Sequence, residues 1–150
     1  MYKTIRREAA APRRRSGTIT LATSSPQLRY DPVHKSMYTE VLVMSGFKSN
    51  PKRRYTLVDN GDRSTIKNVL GSVTNVRLDG GLLKGEVSWA RCKRSQEVAS
   101  KFMHGHIDLF SVELQPLVIE NVHDYKGLGP ARIIHEWSVV VAIVRAAHGE

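Results

Sequence analysis

The stretch that most constrains the fold is VLGSVTNVRLDGGLLKGEVSWA, residues 69–90. Two runs of alternating apolar and polar residues flank Asp79, Gly80 and Gly81. An Asp-Gly-Gly sequence supplies the positive φ angles that a tight hairpin turn needs. The sequence therefore predicts a β-hairpin at this point.

Short alternating segments separated by turn residues continue along most of the chain. Beyond the hairpin, strands are predicted at residues 18–23, 37–47, 55–61, 107–120 and 133–144. Residues 95–105 are the best helix candidate, because Val98 and Phe102 are four positions apart and share one apolar face. Ser95 is expected to cap this helix and Gly105 to end it.

The predicted elements favour one mainly β domain. Many short strands, few helices and no internal repeat favour a β-rich barrel or sandwich over a βαβ fold. Its two tryptophans, Trp89 and Trp137, are expected to be largely buried. No apolar run approaches the roughly 20 residues that a membrane span needs, and the N-terminus has no secretory pattern. We predict a basic arm at residues 1–17 and a single domain at residues 18–150.

The single cysteine, Cys92, cannot form an internal disulfide, which fits a reducing compartment. Arg91 and Lys93 stand beside it and favour a lowered pKa of its thiol. The sequence offers no base to activate this thiol, so an incidental cysteine is the simpler interpretation.

The formal charge of +9 is concentrated at the N-terminus. An arm of this kind binds nucleic acid or an acidic protein surface, or is a solvated tail. The remaining domain is itself basic, so we expect the arm to anchor the protein to an external, acidic partner. Arginine suits bidentate contacts with carboxylate or phosphate. The predicted binding residues are Arg6, Arg7, Arg13, Arg14 and Arg15.

Two motifs have candidate chemistry. Ser111 lies in a predicted strand between Phe110 and Val112, which should pack inward and hold it firmly. A nucleophilic serine needs that rigidity and a nearby base, and without a base it is an ordinary strand serine. His104 and His106 form an H-x-H pair, which fits either two metal ligands or a helix end whose carbonyls interact with His104. No Cys/His/Asp cluster supplies further ligands, so we predict neither a metal nor a cofactor.

Taken together, five stretches resemble the phage prohead proteases, capsid-maturation serine proteases whose fold resembles the herpesvirus assemblins. The resemblance runs from about Ile19 to the C-terminus, and the helix followed by GHIDLFSV and a proline-marked strand is its most specific part. It implies an assemblin-like β-barrel with flanking helices, often self-associating, that acts on scaffold and capsid proteins inside an assembling phage head. The stretches are SSPQLRYD, YTLVDNGDRSTIKNVLGSV, LKGEVSWA, SQEVASKFMHGHIDLFSVELQP and EWSVVVAIV.

The catalytic positions implied by this resemblance are altered. Active members have a histidine in a pattern like L-L-x-x-H-D-R-S, and here LVDNGDRS has Gly61 at that position. The S-x-G motif of the nucleophile is SVE, and Glu113 would oppose the negative charge that develops in acyl transfer. The acid of the closing E-x-S pattern is replaced by Val140 or Val141. Of the three catalytic positions, only Ser111 remains.

A serine without its base is a poor nucleophile, and loss of the triad histidine costs on the order of a million-fold in turnover. His34, His106 and His135 are the candidates for a replacement base, and His106 is nearest in sequence to Ser111. The sequence therefore predicts a catalytically degenerate protein that is a structural part of a phage particle: cement, decoration or a minor head component. The alternative is an active maturation protease that cleaves scaffold and capsid proteins.

The same resemblance gives the predicted partners and location. The partners are the major capsid protein or other phage head proteins, a second copy of the chain, and packaged DNA through the arm. The predicted location is the virion, assembled in the host cytoplasm.

Overall fold

The computed structural model describes residues 2–8, 17–60, 66–105 and 109–145. Within these ranges the protein is mainly β, with one α-helix and an open, mixed, nine-stranded sheet. The strands pair in the order β1-β8-β9-β5-β6-β7-β2, and β4 joins β3 to β9 as a branch. The elements are β1 (Ile5–Glu8), β2 (Thr18–Ala22), β3 (Gln27–Asp31), β4 (Ser36–Leu42), β5 (Tyr55–Asp59), β6 (Val69–Asp79), β7 (Leu82–Trp89), α1 (Lys93–Met103), β8 (Leu109–Val122) and β9 (Ala131–Arg145).

Strand β9 is the centre of this sheet. It pairs antiparallel with β8 along almost its whole length. On its other side it runs parallel to β4 near its start and to β5 near its end. A strand with neighbours on both edges and packing on both faces needs a nearly continuous apolar sequence, which explains the run at residues 137–144.

A short 3₁₀ turn, Met44–Gly46, ends the predicted second strand against β9. A Cβ atom on Gly46 would lie 1.6 Å from the backbone oxygen of His135. Only glycine allows the two backbones to approach this closely. Strand β4 itself ends at Leu42, four positions before the predicted stop near Gly46.

The β6–β7 hairpin is confirmed, with Gly80 and Gly81 at φ values of +60° and +78°. Helix α1 is also confirmed, but its N-cap is Cys92. Ser95 lies inside the first turn and is buried, so the prediction that it caps the helix was wrong. Gly105, at φ +84°, follows the helix end as predicted.

The main core lies on one side of the sheet. Trp137 is fully buried there, whereas Trp89 is only half-buried and packs at the margin. Phe102 attaches α1 to this core, since its ring lies 6.0 Å from Trp89 and 5.3 Å from Phe110. Val98, on the same helix face, packs partly buried against the core, as the spacing predicted.

Two strands of the structure, β3 and β1, were not predicted from the sequence. Residues 24–36 lie between the predicted strands at 18–23 and 37–47, yet they contain β3, which pairs regularly with β4. Pro26 and Pro32 lie just outside β3 at its two ends. The other missed strand is β1, within the predicted basic arm, where Ile5 packs against the core.

Candidate functional site

The protease resemblance singles out positions on β8, on β9 and just beyond β5, and these three strands are consecutive in the sheet. Ser111 on β8 lies opposite Ile143 on β9. On the other side of β9, Ile143 is paired with Val58 near the end of β5. Gly61 itself lies outside the described residues, two positions beyond the last residue of β5. The neighbouring Asn60 is described, and its backbone N–H donates to the oxygen of Val144 on β9 at 2.8 Å.

Ser111 is buried, with an exposed fraction of only 1%. Phe110 and Val112 point to the opposite face and belong to the main core, as predicted. On the other edge of β8, Glu8 of β1 is paired with Ser111. A nucleophilic hydroxyl has to be reached by its substrate and by a base, and this serine is closed to solvent.

The position of the expected catalytic acid is apolar and buried. Val141 is 2% exposed and forms a small cluster with Val58 and Ile143, on the sheet face opposite the main core. The register of β9 shifts at Val140, which is partly buried and packs against the same cluster. Neither residue can orient a histidine or stabilise its charged form, which is the role of a triad acid.

Glu113 is the carboxylate closest in sequence to Ser111 on the same face of β8. It lies directly opposite Val141, and its carboxylate accepts a hydrogen bond from the Thr4 hydroxyl. The contact attaches the segment before β1 to β8. This contact could not be predicted from the sequence, because a single threonine in a basic segment does not indicate a distant partner.

The described histidines with ring hydrogen bonds interact elsewhere. His34 is 2.7 Å from Asp31, and His135 is 2.8 Å from Glu120. His135 is eight positions from Ile143 along β9, which corresponds to about 26 Å of extended strand. His104 donates from Nδ1 to the Ser100 carbonyl at 2.8 Å, as predicted for a helix end.

The second member of the H-x-H pair, His106, lies outside the described residues. Within the part of the chain that the structure describes, no group of three His, Cys, Asp or Glu side chains could hold a metal ion. The described residues therefore supply no set of further metal ligands around His104.

The predicted binding arginines fall into two groups. Arg6 and Arg7 are in β1, with their backbones opposite Glu113 and Val112. The other three, Arg13, Arg14 and Arg15, lie outside the described residues. The first part of the arm thus belongs to the sheet edge, and a test of anchoring has to leave β1 intact.

Cys92 is exposed, and the pKa of its thiol is lowered. The largest cause is a hydrogen bond with the Ser95 hydroxyl, at 3.0 Å, and backbone N–H groups of the first helical turn add to it. The predicted direction is confirmed, but the cause is hydrogen bonding at the helix N-terminus and not the charges of Arg91 and Lys93.

Replacing Ser95 with alanine should raise the pKa of Cys92, because the main hydrogen bond to the thiolate is lost. The midpoint of the iodoacetamide alkylation rate should then move to higher pH, since the thiolate is the reacting form. Ser100→Ala, an exposed serine on the same helix, is the control and should leave the midpoint in place. An unchanged midpoint in the Ser95 variant would contradict the assignment.

None of the family models, curated proteins or solved structures compared with this chain matches it. Among the described residues, no helix is long and apolar enough to cross a membrane.

Proposed function

We propose that this protein is a catalytically degenerate relative of the phage prohead proteases that serves as a structural component of a phage particle. The observation that carries the proposal is the arrangement of three adjacent strands. Ser111, Val141 and the end of β5 lie on β8, β9 and β5, which are consecutive in the sheet. A nucleophilic serine needs its base and the acid that orients the base on elements that lie close together, and here the expected acid position, Val140 or Val141, holds a valine.

An assemblin-like barrel is part of the proposal. The paired strands form an open path from β1 to β2, but these two end strands also approach each other, and β2 approaches β8. A sheet that curls until its ends meet is the geometry from which a barrel closes.

The proposed partners are head proteins, reached through the sheet surface and the basic segment. Arg13, Arg14 and Arg15 can be changed to glutamine without touching β1. We expect the triple variant to be incorporated into particles less than the wild type at low salt, with a smaller deficit at high salt, because screening weakens the attraction that the three arginines add. Incorporation equal to that of the wild type would show that these three arginines do not anchor the protein to the particle.

The alternative function is an active maturation protease. It is favoured by the retention of Ser111 and by the firm packing of Phe110 and Val112 on either side of it. The two proposed functions differ in the Ser111 hydroxyl, which is reactive in an active protease and unreactive in a degenerate one.

A fluorophosphonate probe discriminates the two functions. We expect the purified protein to remain unlabelled, because Ser111 has lost both partners and is buried. The matched control is Ser111→Ala, which should be equally unlabelled, and an active serine protease in the same reaction verifies the probe. Labelling that disappears in the Ser111→Ala variant would support an active protease and overturn the proposal of a catalytically degenerate protein.

A further inference from the structure

Strand β3 has one edge that is paired with no strand in the described part of the chain. Its five residues pair with β4 without a register shift, so the strand is regular. It contains neither proline nor lysine, the residues that commonly protect sheet edges. An edge of this kind offers its backbone groups to another strand.

The side chains beside this edge are unusually apolar for a surface. Leu28 and Tyr30 are 68% and 56% exposed and share one face of β3. Met37, opposite Tyr30 on β4, is 47% exposed. Exposed apolar side chains in a contiguous group mark an interaction surface.

The β3–β4 hairpin is also neutral on a strongly basic protein. Residues 27–42 contain two basic and two acidic residues, whereas the whole chain has a formal charge of +9. A polyanionic partner would be drawn to other surfaces, while a second copy of the chain meets the least repulsion here. The four residues are Arg29, Lys35, Asp31 and Glu40.

We propose that two copies of this protein associate through antiparallel pairing of their β3 strands, with Tyr30 on the two-fold axis. A two-fold interface uses the same surface on both subunits. With this register, Tyr30 faces Tyr30 of the second copy, and Leu28 faces Pro32. Arg29 lies opposite Asp31 of the second copy, twice, while each keeps its partner within the chain, Glu40 for Arg29 and His34 for Asp31. Opposite charges and aromatic pairs across antiparallel strands are both stabilising.

The other registers are less favourable. An axis at Arg29 would set two arginines directly opposite each other, which is destabilising. An axis at Leu28 would place Arg29 opposite Gln27, so no pair of opposite charges would form. The inference does not depend on the proposed function, because it rests on the edge, exposure and charge of one hairpin.

Cysteine cross-linking tests the register in a Cys92→Ser background. Directly opposed residues in antiparallel strands have Cα atoms about 4.5–5.5 Å apart, within the range that a disulfide spans. Tyr30→Cys should therefore give a covalent dimer on mild oxidation. Leu28→Cys is the matched control, because it is on the same face and more exposed, yet its two copies would be about 13 Å apart. Equal cross-linking of the two variants, or none, would overturn the register.

Analytical ultracentrifugation tests the interface itself. We expect a weak dimer, with Kd in about the micromolar range, because two short strands make a small interface. Tyr30→Lys should shift the protein to monomer by placing two positive charges on the axis, while circular dichroism verifies its fold. Leu128→Lys, a loop residue of 62% exposure, should leave the dimer unchanged. A wild-type protein that stays monomeric, or a dimer that survives Tyr30→Lys, would overturn the proposal.

Discussion

Replacing Trp137 with alanine should lower the free energy of unfolding by about 3–5 kcal/mol, the range for large aromatic residues removed from cores. Trp137 is fully buried at the middle of β9, and its ring lies 5.1 Å from Phe47. Its indole N–H donates to the Val43 oxygen at 2.9 Å. The side chain thus connects the central strand to the segment between β4 and β5, and denaturant unfolding measures its loss.

Two other variants separate the contributions. Trp137→Phe keeps most of the apolar volume but removes one of the two donors to the Val43 oxygen, which still accepts from the Gly46 N–H at 3.0 Å. The lost hydrogen bond should therefore cost about 0.5–1.5 kcal/mol. Trp89→Ala should cost less than Trp137→Ala, because Trp89 is only half-buried. A loss below 1 kcal/mol for Trp137→Ala would contradict the central role of β9.

Local sequence patterns predicted the elements whose signals are contained in their own residues. The β6–β7 hairpin follows from its turn and its alternation, and α1 from the spacing of Val98 and Phe102. The apolar run of β9 likewise indicates burial on both faces. In each case the periodicity reports directly on the packed face.

The missed strands lack such signals. In β1 only Ile5 is an apolar residue, and its pairing with β8 spans more than 100 positions of the chain. In β3 the apolar side chains Leu28 and Tyr30 are exposed, so alternation does not report burial there. Both strands are held by tertiary pairing, which overrides weak local preference.

The geometry of the candidate site could likewise be predicted only in part from local sequence patterns. Alternation predicted that Ser111 is fixed by its neighbours, and the buried position agrees. Its position opposite Ile143 could not be predicted from spacing, because 32 residues separate the two in sequence. The adjacency of β8, β9 and β5 is a property of the sheet order, which no local sequence pattern contains.

Replacing Val141 with glutamate should destabilise the protein by about 3–5 kcal/mol at neutral pH, the range for a buried charge without its partner. Val141 packs against Val58 and Ile143 and is 2% exposed. Glu113 lies directly opposite, so the new carboxylate would also meet a like charge. Val141→Gln is the control, since it has the same size and cannot titrate.

The destabilisation should depend on pH. Burial and the Glu113 carboxylate both raise the pKa of the new carboxyl above its ordinary value of about 4.3. Below that value both folded and unfolded states are protonated, and the cost is smallest. As the pH rises towards the folded-state pKa, the unfolded chain releases its proton first, so the free energy of unfolding falls, and it levels off above that pKa. Denaturant unfolding at pH 4 and pH 7 should therefore separate Val141→Glu from Val141→Gln, and equal losses at both pH values would contradict the burial.

Adding Gly61→His to Val141→Glu tests the descent of the site. Position 61 follows β5, whose last residue is paired with Val144 on β9. Val141 lies three positions before Val144 on β9, about 10 Å away along the strand, so an imidazolium at 61 reaches a carboxylate at 141 only if the segment after β5 turns back towards it. If the two positions once belonged to one triad, we expect that turn and a coupling free energy of about 0.5–3 kcal/mol in a double-mutant cycle. The same histidine should not rescue Val141→Gln, which has no charge to pair. A coupling of zero would remove the support for a protease ancestor, while the cost of the single Val141→Glu change would still report a buried apolar cluster. The cycle therefore separates the history of the site from its present packing.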